Sequence, residues 1–196
     1  MMKRRFFLAA LVAAFGIFSF DGFVTHGGTA QAQTRAQEMD MENTLYIDLE
    51  GGRVTIEMLP DVAPNHVARI KELARAGFYD GIVFHRVIDG FMAQTGDPTG
   101  TGTGSSDLPD LKAEFSDVNH GRGAVSMARA QSPNSANSQF FIVFDDASFL
   151  DGQYTVWGQV TDGMELVDAI KRGEGSSGAV QDPDRMIKVQ VAADAQ

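Results

Sequence analysis

The stretch FHRVIDGFMAQTGD, residues 84–97, gathers side chains able to act on another molecule: Arg86, Phe91, Met92 and Gln94. On a strand–turn–strand they line one concave face, because alternate residues of a strand share a face. The result is a cationic donor and a primary amide set beside an aromatic ring and a thioether. Arginine among apolar groups is costly unless it finds partners. The arrangement therefore reads in one of two ways. Either Arg86 is a donor aimed at a bound group beside an apolar pocket, or it is a surface residue whose stem snorkels over Phe and Met. Spacing alone leaves both open.

A second cluster, SMARAQSPNSANSQFFIVF, spans 126–144. Strand alternation there sends Gln139 and Phe141 to one side, although aromatic strand residues equally serve to fill a core. A third, FLDGQY at 149–154, is a turn ahead of another strand. His85 adjoins Arg86, so on a regular strand it faces the other way. His85 and His120 both read as packed or surface residues and not as acid–base groups.

Composition narrows the chemistry further. Lys and Arg total 16 against 26 Asp and Glu, a formal net charge of −10, which argues against nucleic-acid binding. The absence of cysteine removes disulfides, thiol catalysis and thiolate metal sites. The four His show no metal-ligand spacing, so no transition-metal site and no cofactor is expected; carboxylate-bound calcium stays open. At 43% hydrophobic and 21% charged, the chain is an ordinary globular protein.

Residues 1–32 read as an export signal: basic Lys3, Arg4 and Arg5, an apolar run over 6–20, and Ala30-Gln31-Ala32 as a small-residue cleavage site. An uncleaved anchor is the alternative, and Arg4-Arg5 leaves open a twin-arginine route. The expected location is the bacterial periplasm or outside the cell, with membrane contact only if the segment is retained. Residues 33–43 read as a polar linker, 44–192 as one domain and 193–196 as a tail.

Hydrophobic period supplies the elements that must position the candidate residues. Leu45, Ile47 and Leu49, then Val54, Ile56 and Met58, alternate around Gly51-Gly52, a hairpin signature. Residues 61–76 switch to helical spacing, with Pro64 in the first turn and Gly77 at the end. Strands are expected within 82–94 and over 123–129, 139–144, 155–160 and 186–191, with a second helix over 163–171. The Gly- and Pro-rich residues 95–110 form a loop. Many strands with two helices favour a β-barrel or sandwich with helices at its ends.

Taken together, FHRVIDGFMAQTGD, GTGTG, SMARA, NSQFFI and FLDGQYTVWGQV occur in the order and spacing of the cyclophilin family of peptidyl-prolyl cis–trans isomerases, which the chain resembles from about Thr44 to Val191. The resemblance implies a mainly β fold: a closed eight-stranded antiparallel β-barrel capped by two α-helices, with a substrate groove on its outer surface. It implies that Arg86 is the catalytic arginine, and that Phe91, Met92, Phe141 and Leu150 form the walls of a proline pocket. Gln94 and Gln139 would position substrate and arginine, with Gln94 grouped with Arg86 as catalytic. Ala128, Arg129 and Ala130 would offer backbone to the peptide, and Gly102 would line the neighbouring pocket. Phe149, Arg129 and Tyr154 depart from the best-known eukaryotic members, which carry Trp, Asn and His there. Phe has no indole N–H to offer, so weak cyclosporin binding is expected.

The implied activity is rotation about X-Pro bonds. With the export signal, the expected partners are proline-containing segments of unfolded or folding exported proteins, and a monomer is expected because no apolar patch or coiled-coil seam stands out in the sequence. The alternatives are a non-catalytic proline-binding module and a general periplasmic chaperone. A structural envelope subunit has no supporting feature beyond the N-terminal segment.

Overall fold

The computed structural model describes residues 40–195. The expected signal segment and most of the expected linker lie outside the described residues. Residues 40–42 form a helical turn, and Glu42 reaches Lys71 at 3.3 Å and Arg75 at 2.7 Å. The end of the expected linker is therefore docked on the domain. The expected tail is docked too, since Asp194 pairs with Arg75 at 2.8 Å.

Eight strands follow: β1 (Thr44–Leu49), β2 (Gly52–Met58), β3 (Arg86–Ile88), β4 (Met92–Thr95), β5 (Ala124–Met127), β6 (Phe140–Val143), β7 (Val156–Asp162) and β8 (Lys188–Val191). They form one antiparallel sheet in the order β3-β4-β6-β5-β7-β2-β1-β8. In the hairpin, Leu45 faces Ile56 and Ile47 faces Val54, and all four are buried. Alternation has put one apolar face inward.

The sheet curls until β3 and β8 approach, but they do not pair along their length. Val83 bridges Arg185, and the Phe84 and Met186 N–H groups donate to the Asp184 and Ile82 carbonyls at 2.8 and 2.9 Å. The expected eight-stranded antiparallel barrel is thus present, and its closure is approximate: a curled sheet held shut by a short bridge. The cause lies in the chain before β8. Residues 184–186 pair with 82–84, whereas the Ile187 N–H turns to Asp48 O at 2.7 Å. The expected strand 186–191 therefore starts at Lys188.

Helix α1 (Pro64–Arg75) buries Val67, Ile70, Leu73 and Ala74. Its cap position, Ala63, has no side chain able to cap. Glu114, distant in sequence, does so instead, accepting the N–H groups of Asn65 at 3.2 Å and His66 at 3.1 Å. A carboxylate there also suits the helix dipole. Gly77, at φ 68°, ends the helix. Helix α2 (Met164–Asp168) is shorter than the 163–171 expected from sequence. The Arg172 guanidinium donates to the carbonyls of Asp168 at 2.8 Å and Ile170 at 2.5 Å, replacing the backbone donors that further turns would supply.

Apolar side chains fall into two clusters. The larger fills the barrel and includes Phe84, Phe140 and Trp157; Trp157 is fully buried and meets Phe140 edge-on at 5.5 Å. The smaller lies on the outer face of β4, β5 and β6: Met92, Ala124, Phe141, Val143, Ala147 and Leu150, with Phe91 and Tyr154 packed on it.

The first half of the 95–110 loop is ordered by one carboxylate, and the second half by Asn137, which bonds Ser106, Leu108 and Asp110. Asp97, 1% exposed, accepts the N–H groups of Thr99, Thr101, Gly102 and Gly104 and the Thr99 hydroxyl, at 2.6–3.1 Å. Burial pushes its acidity towards the neutral form, but these donors outweigh burial and bring its pKa to about 2. The loop is pressed at Gly96 against the two residues that lead into β6, and a φ of 86° there disfavours a side chain. A Cβ there would overlap the Ser138 carbonyl and lie 2.9 Å from Gln139 Cα.

Two outcomes follow from this loop. Gly96→Ala lowers stability by more than about 2 kcal/mol, from left-handed strain plus the backbone clash; an unchanged urea midpoint would contradict that. Asp97 ionises more readily folded than unfolded, so its contribution is complete above about pH 4 and is lost as pH falls towards about 2. Paired thermal melts of wild type and Asp97→Asn should show a stability gap that narrows over that interval; a gap independent of pH contradicts it.

Candidate active site

Register alone assembles the centre of the site. Arg86 on β3 lies opposite Gln94 on β4, and Gln94 lies opposite Phe141 on β6. Phe141 in turn faces Ser126 on β5. Cross-strand partners share a face, so Arg86, Gln94 and Phe141 form a row across the outside of the barrel, with Met92 one step along β4. Two strand spacings put Arg86 and Phe141 about 10 Å apart at Cα, with Gln94 between them.

Arg86 is held on one side only. Its Nε donates to Ser177 O at 3.1 Å and Nη1 to Gln94 Oε1 at 3.1 Å. Gln94 Nε2 donates to Gln139 Oε1 at 2.9 Å. Gln139 Nε2 donates to the carbonyls of Gly102 at 3.1 Å and Gly104 at 2.8 Å. Each amide is thus oriented by the next, and the chain ends in the loop that Asp97 organises. The remaining N–H groups of Arg86 have no partner among the described residues. The snorkelling reading of Arg86 does not describe this geometry.

The apolar wall stands beside this row. Met92, Phe141 and Leu150 are buried, at 1%, 5% and 8% exposure. Tyr154 meets Phe141 edge-on at 5.9 Å. Phe149, 63% exposed, leans on Phe91 at 5.3 Å. Behind the wall, His120 stacks on Phe141 at 6.4 Å. Its Nδ1 lies 2.9 Å from Asp151 Oδ1 and its Nε2 lies 3.0 Å from Ser126 Oγ. That spacing is what a serine hydrolase uses, but Ser126 is fully buried and its hydroxyl donates to Thr155 O at 2.9 Å. The trio holds the ring of Phe141 and offers no nucleophile. The His120 backbone N–H, its ring and Asn119 hold the Asp151 carboxyl below the usual carboxylate range.

A second cavity, of about 410 Å3, adjoins the row and is lined by Gln94, Gly102, Gln139, Ala128, Arg129 and Ala130 among others. Of the 128–130 backbone, the Ala128 N–H goes to Gln139 O at 3.0 Å and the Ala130 N–H to Ser135 Oγ at 3.0 Å. The N–H and C=O of Arg129 carry no hydrogen-bond partner among the described residues. A larger cavity, about 770 Å3, is lined by Leu49, Leu166, Lys171 and Ile187 among others and shares no residue with the site.

The structure places the expected site residues in two neighbouring groups. One is the outer apolar cluster of Phe91, Met92, Phe141, Leu150 and Tyr154, with Phe149 against Phe91. The other is the cavity lined by Gln94, Gly102, Ala128, Arg129, Ala130 and Gln139, to which Arg86 is joined through Gln94. The sequence did not point to the Ser177 carbonyl, the Asp97 loop or the Ser126–His120–Asp151 support. His85 is buried, as one of its expected roles required; burial lowers its pKa, with Asp97 opposing and Arg86 reinforcing that shift.

Comparison with known proteins agrees with this geometry. The family model described as "Cyclophilin type peptidyl-prolyl cis-trans isomerase/CLD" matches residues 44–191. A "Probable peptidyl-prolyl cis-trans isomerase" of Brucella suis is 54% identical over 171 residues, 81% of this chain and 87% of the relative. "Peptidyl-prolyl cis-trans isomerase B" of Bacillus subtilis is 40% identical over 135 residues, covering 68% and 94%. Among solved structures, a cyclophilin of Hirschia baltica superposes with TM-score 0.72 at 29% identity, covering 80% and 76%. A Cryptosporidium parvum cyclophilin-type isomerase, crystallised in the presence of the dipeptide Ala-Pro, gives 0.70 at 28%, covering 76% and 98%. The match over 44–191 and the 54% identity to a named isomerase, on a curled eight-stranded sheet, show that the chain belongs to the cyclophilin-type peptidyl-prolyl cis–trans isomerases.

Proposed function

We propose that the outer hollow binds proline in peptide segments, that Arg86 drives X-Pro rotation there, and that the clients are exported proteins during folding. Planar amide conjugation sets a rotation barrier of about 18–20 kcal/mol. In an X-Pro bond the cis and trans forms are close in energy but exchange slowly. No covalent bond need break. Catalysis requires only that the twisted amide be bound more tightly than the planar one.

Twisting frees the lone pair of the prolyl nitrogen. A guanidinium N–H directed at that nitrogen stabilises the twisted state selectively, as a preorganised donor needing no reorganisation during the step. The observation that carries this reading is the one-sided anchoring of Arg86: Nε and Nη1 are tied to Ser177 O and Gln94 Oε1, and its other N–H groups are left for a substrate. Arginine suits the task because it stays protonated and its donors form a rigid fork. Met92, Phe141 and Leu150 would grip the proline ring, fixing one end of the rotating bond and excluding water from the donor.

The export-signal reading of residues 1–32 supports exported clients and a periplasmic or secreted location. A proline-binding module or a general chaperone would use the same hollow without needing the guanidinium, so the arginine discriminates between them.

Cis-to-trans exchange in a short proline peptide tests the reading. Wild type should accelerate it, and Arg86→Ala should lose about 100-fold or more in kcat/KM, the scale of removing one preorganised donor, with its unfolding midpoint retained. Full turnover in Arg86→Ala rules out the mechanism; no acceleration by folded wild type leaves a binding module or chaperone. Cyclosporin should inhibit weakly, since Phe149 presents an exposed ring without an N–H. Sub-micromolar inhibition would refute that expectation.

A further inference from the structure

We propose that Arg129 is a positioning residue: it clasps the two segments that frame the open side of the proline hollow, and sets substrate affinity rather than the rate of rotation. This rests on the isomerase reading above and concerns how its hollow keeps its shape.

Arg129 differs from Arg86 in the direction its charge faces. Its Nη1 donates to Ala130 O at 3.0 Å and Gln131 O at 3.2 Å. Its Nη2 crosses to the 149–154 turn and donates to Gln153 O at 3.2 Å. The guanidinium carbon lies 4.4 Å over the centre of the Tyr154 ring, cation–π geometry, and Nε is buried without a partner. No carboxylate pairs with it among the described residues. The side chain is thus committed inward, to carbonyls and a ring, and does not act as a ligand for the peptide.

What it holds is the proline wall. Tyr154 stands edge-on to Phe141 at 5.9 Å and to His120 at 6.5 Å. Gln153, gripped through its carbonyl, also returns its side-chain amide to Phe149 O at 2.8 Å and its backbone N–H to Leu150 O at 3.0 Å. One guanidinium therefore couples the 128–131 segment, which presents free backbone to the peptide, to the turn carrying Phe149, Leu150 and Tyr154. Without it the turn must be ordered when substrate binds, a cost that appears in affinity. Arg86 and its anchors are untouched. Lysine cannot substitute, because a point charge spans neither the separated carbonyls nor the ring face.

The test is steady-state exchange of a proline peptide by full chains carrying Arg129→Ala, Arg129→Lys, Tyr154→Ala and the Arg129→Ala/Tyr154→Ala pair, each first shown to unfold cooperatively. Arg129→Ala should raise KM about three- to tenfold, the scale of a cation–π contact with hydrogen bonds, while kcat changes less than twofold. Arg129→Lys, the variant that keeps the charge and most of the stem, should fail to restore KM. The double variant should be no worse than the poorer single one, since both break the same clasp. A fall in kcat at unchanged KM, full rescue by Lys, or additive effects would each overturn the proposal. Should wild type show no exchange, the isomerase reading fails by itself. NMR titration with the same peptide then decides the clasp: weaker binding by Arg129→Ala supports it, and equal binding overturns it.

Discussion

A guanidinium held beside apolar side chains needs fixed acceptors for the donors it does not give to substrate, and much of the outer face is arranged around that need. Arg86 reaches Gln94, which reaches Gln139, which reaches the carbonyls of Gly102 and Gly104. Each amide has one end satisfied by its predecessor, so its orientation is determined. The last carbonyls stay put because Asp97 gathers the loop amides around one carboxylate. That carboxylate is placed by Gly96, which lets the loop touch the backbone of Ser138 and Gln139 just before β6. An arginine on β3 thereby depends on the conformation of the loop that leaves the neighbouring strand β4.

The barrel serves this face by splitting its strands' side chains between two environments. Inward residues of β4, β5 and β6, such as Ala93, Val125, Phe140 and Ile142, join the barrel core. Their outward neighbours Met92, Ala124, Phe141 and Val143 build the small outer cluster. The short central strands are consequently buried on both faces, and the hollow has a floor that packing holds in place. His120 supports Phe141 from behind through Asp151 and Ser126, and Arg129 supports Tyr154 from the side. Preorganisation is spread over side chains that do not face the reacting bond.

Much of this was legible in the residues. The alternation of 45–49 and 54–58 has only one folded meaning, and the helical spacing of 67–74 another. Arg86, Gln94 and Phe141 were expected in one site, and the register makes them cross-strand neighbours. The misjudged boundaries share one cause. The 163–171 helix stops early because Arg172 takes its carbonyls, and the 186–191 strand starts late because Ile187 changes partner. Both depend on groups brought from elsewhere in the chain, which no local window contains.

The sequence by itself therefore determined the elements, the family and the chemical cast of the site, because these rest on local period and on motifs several residues long. Only the tertiary structure decided which donors each polar group would meet. Glu114 caps α1 in place of an uncapping Ala63, Asp97 folds a loop that composition marks as irregular, and the Ser177 carbonyl fixes Arg86. It also separated two arginines of identical chemistry. Arg86 is tied at Nε and Nη1 and keeps other N–H groups without a partner among the described residues, whereas Arg129 gives both terminal nitrogens to carbonyls of its own chain. The physical reason is that hydrogen bonds and burial are satisfied in space, between residues whose separation along the chain carries no signal.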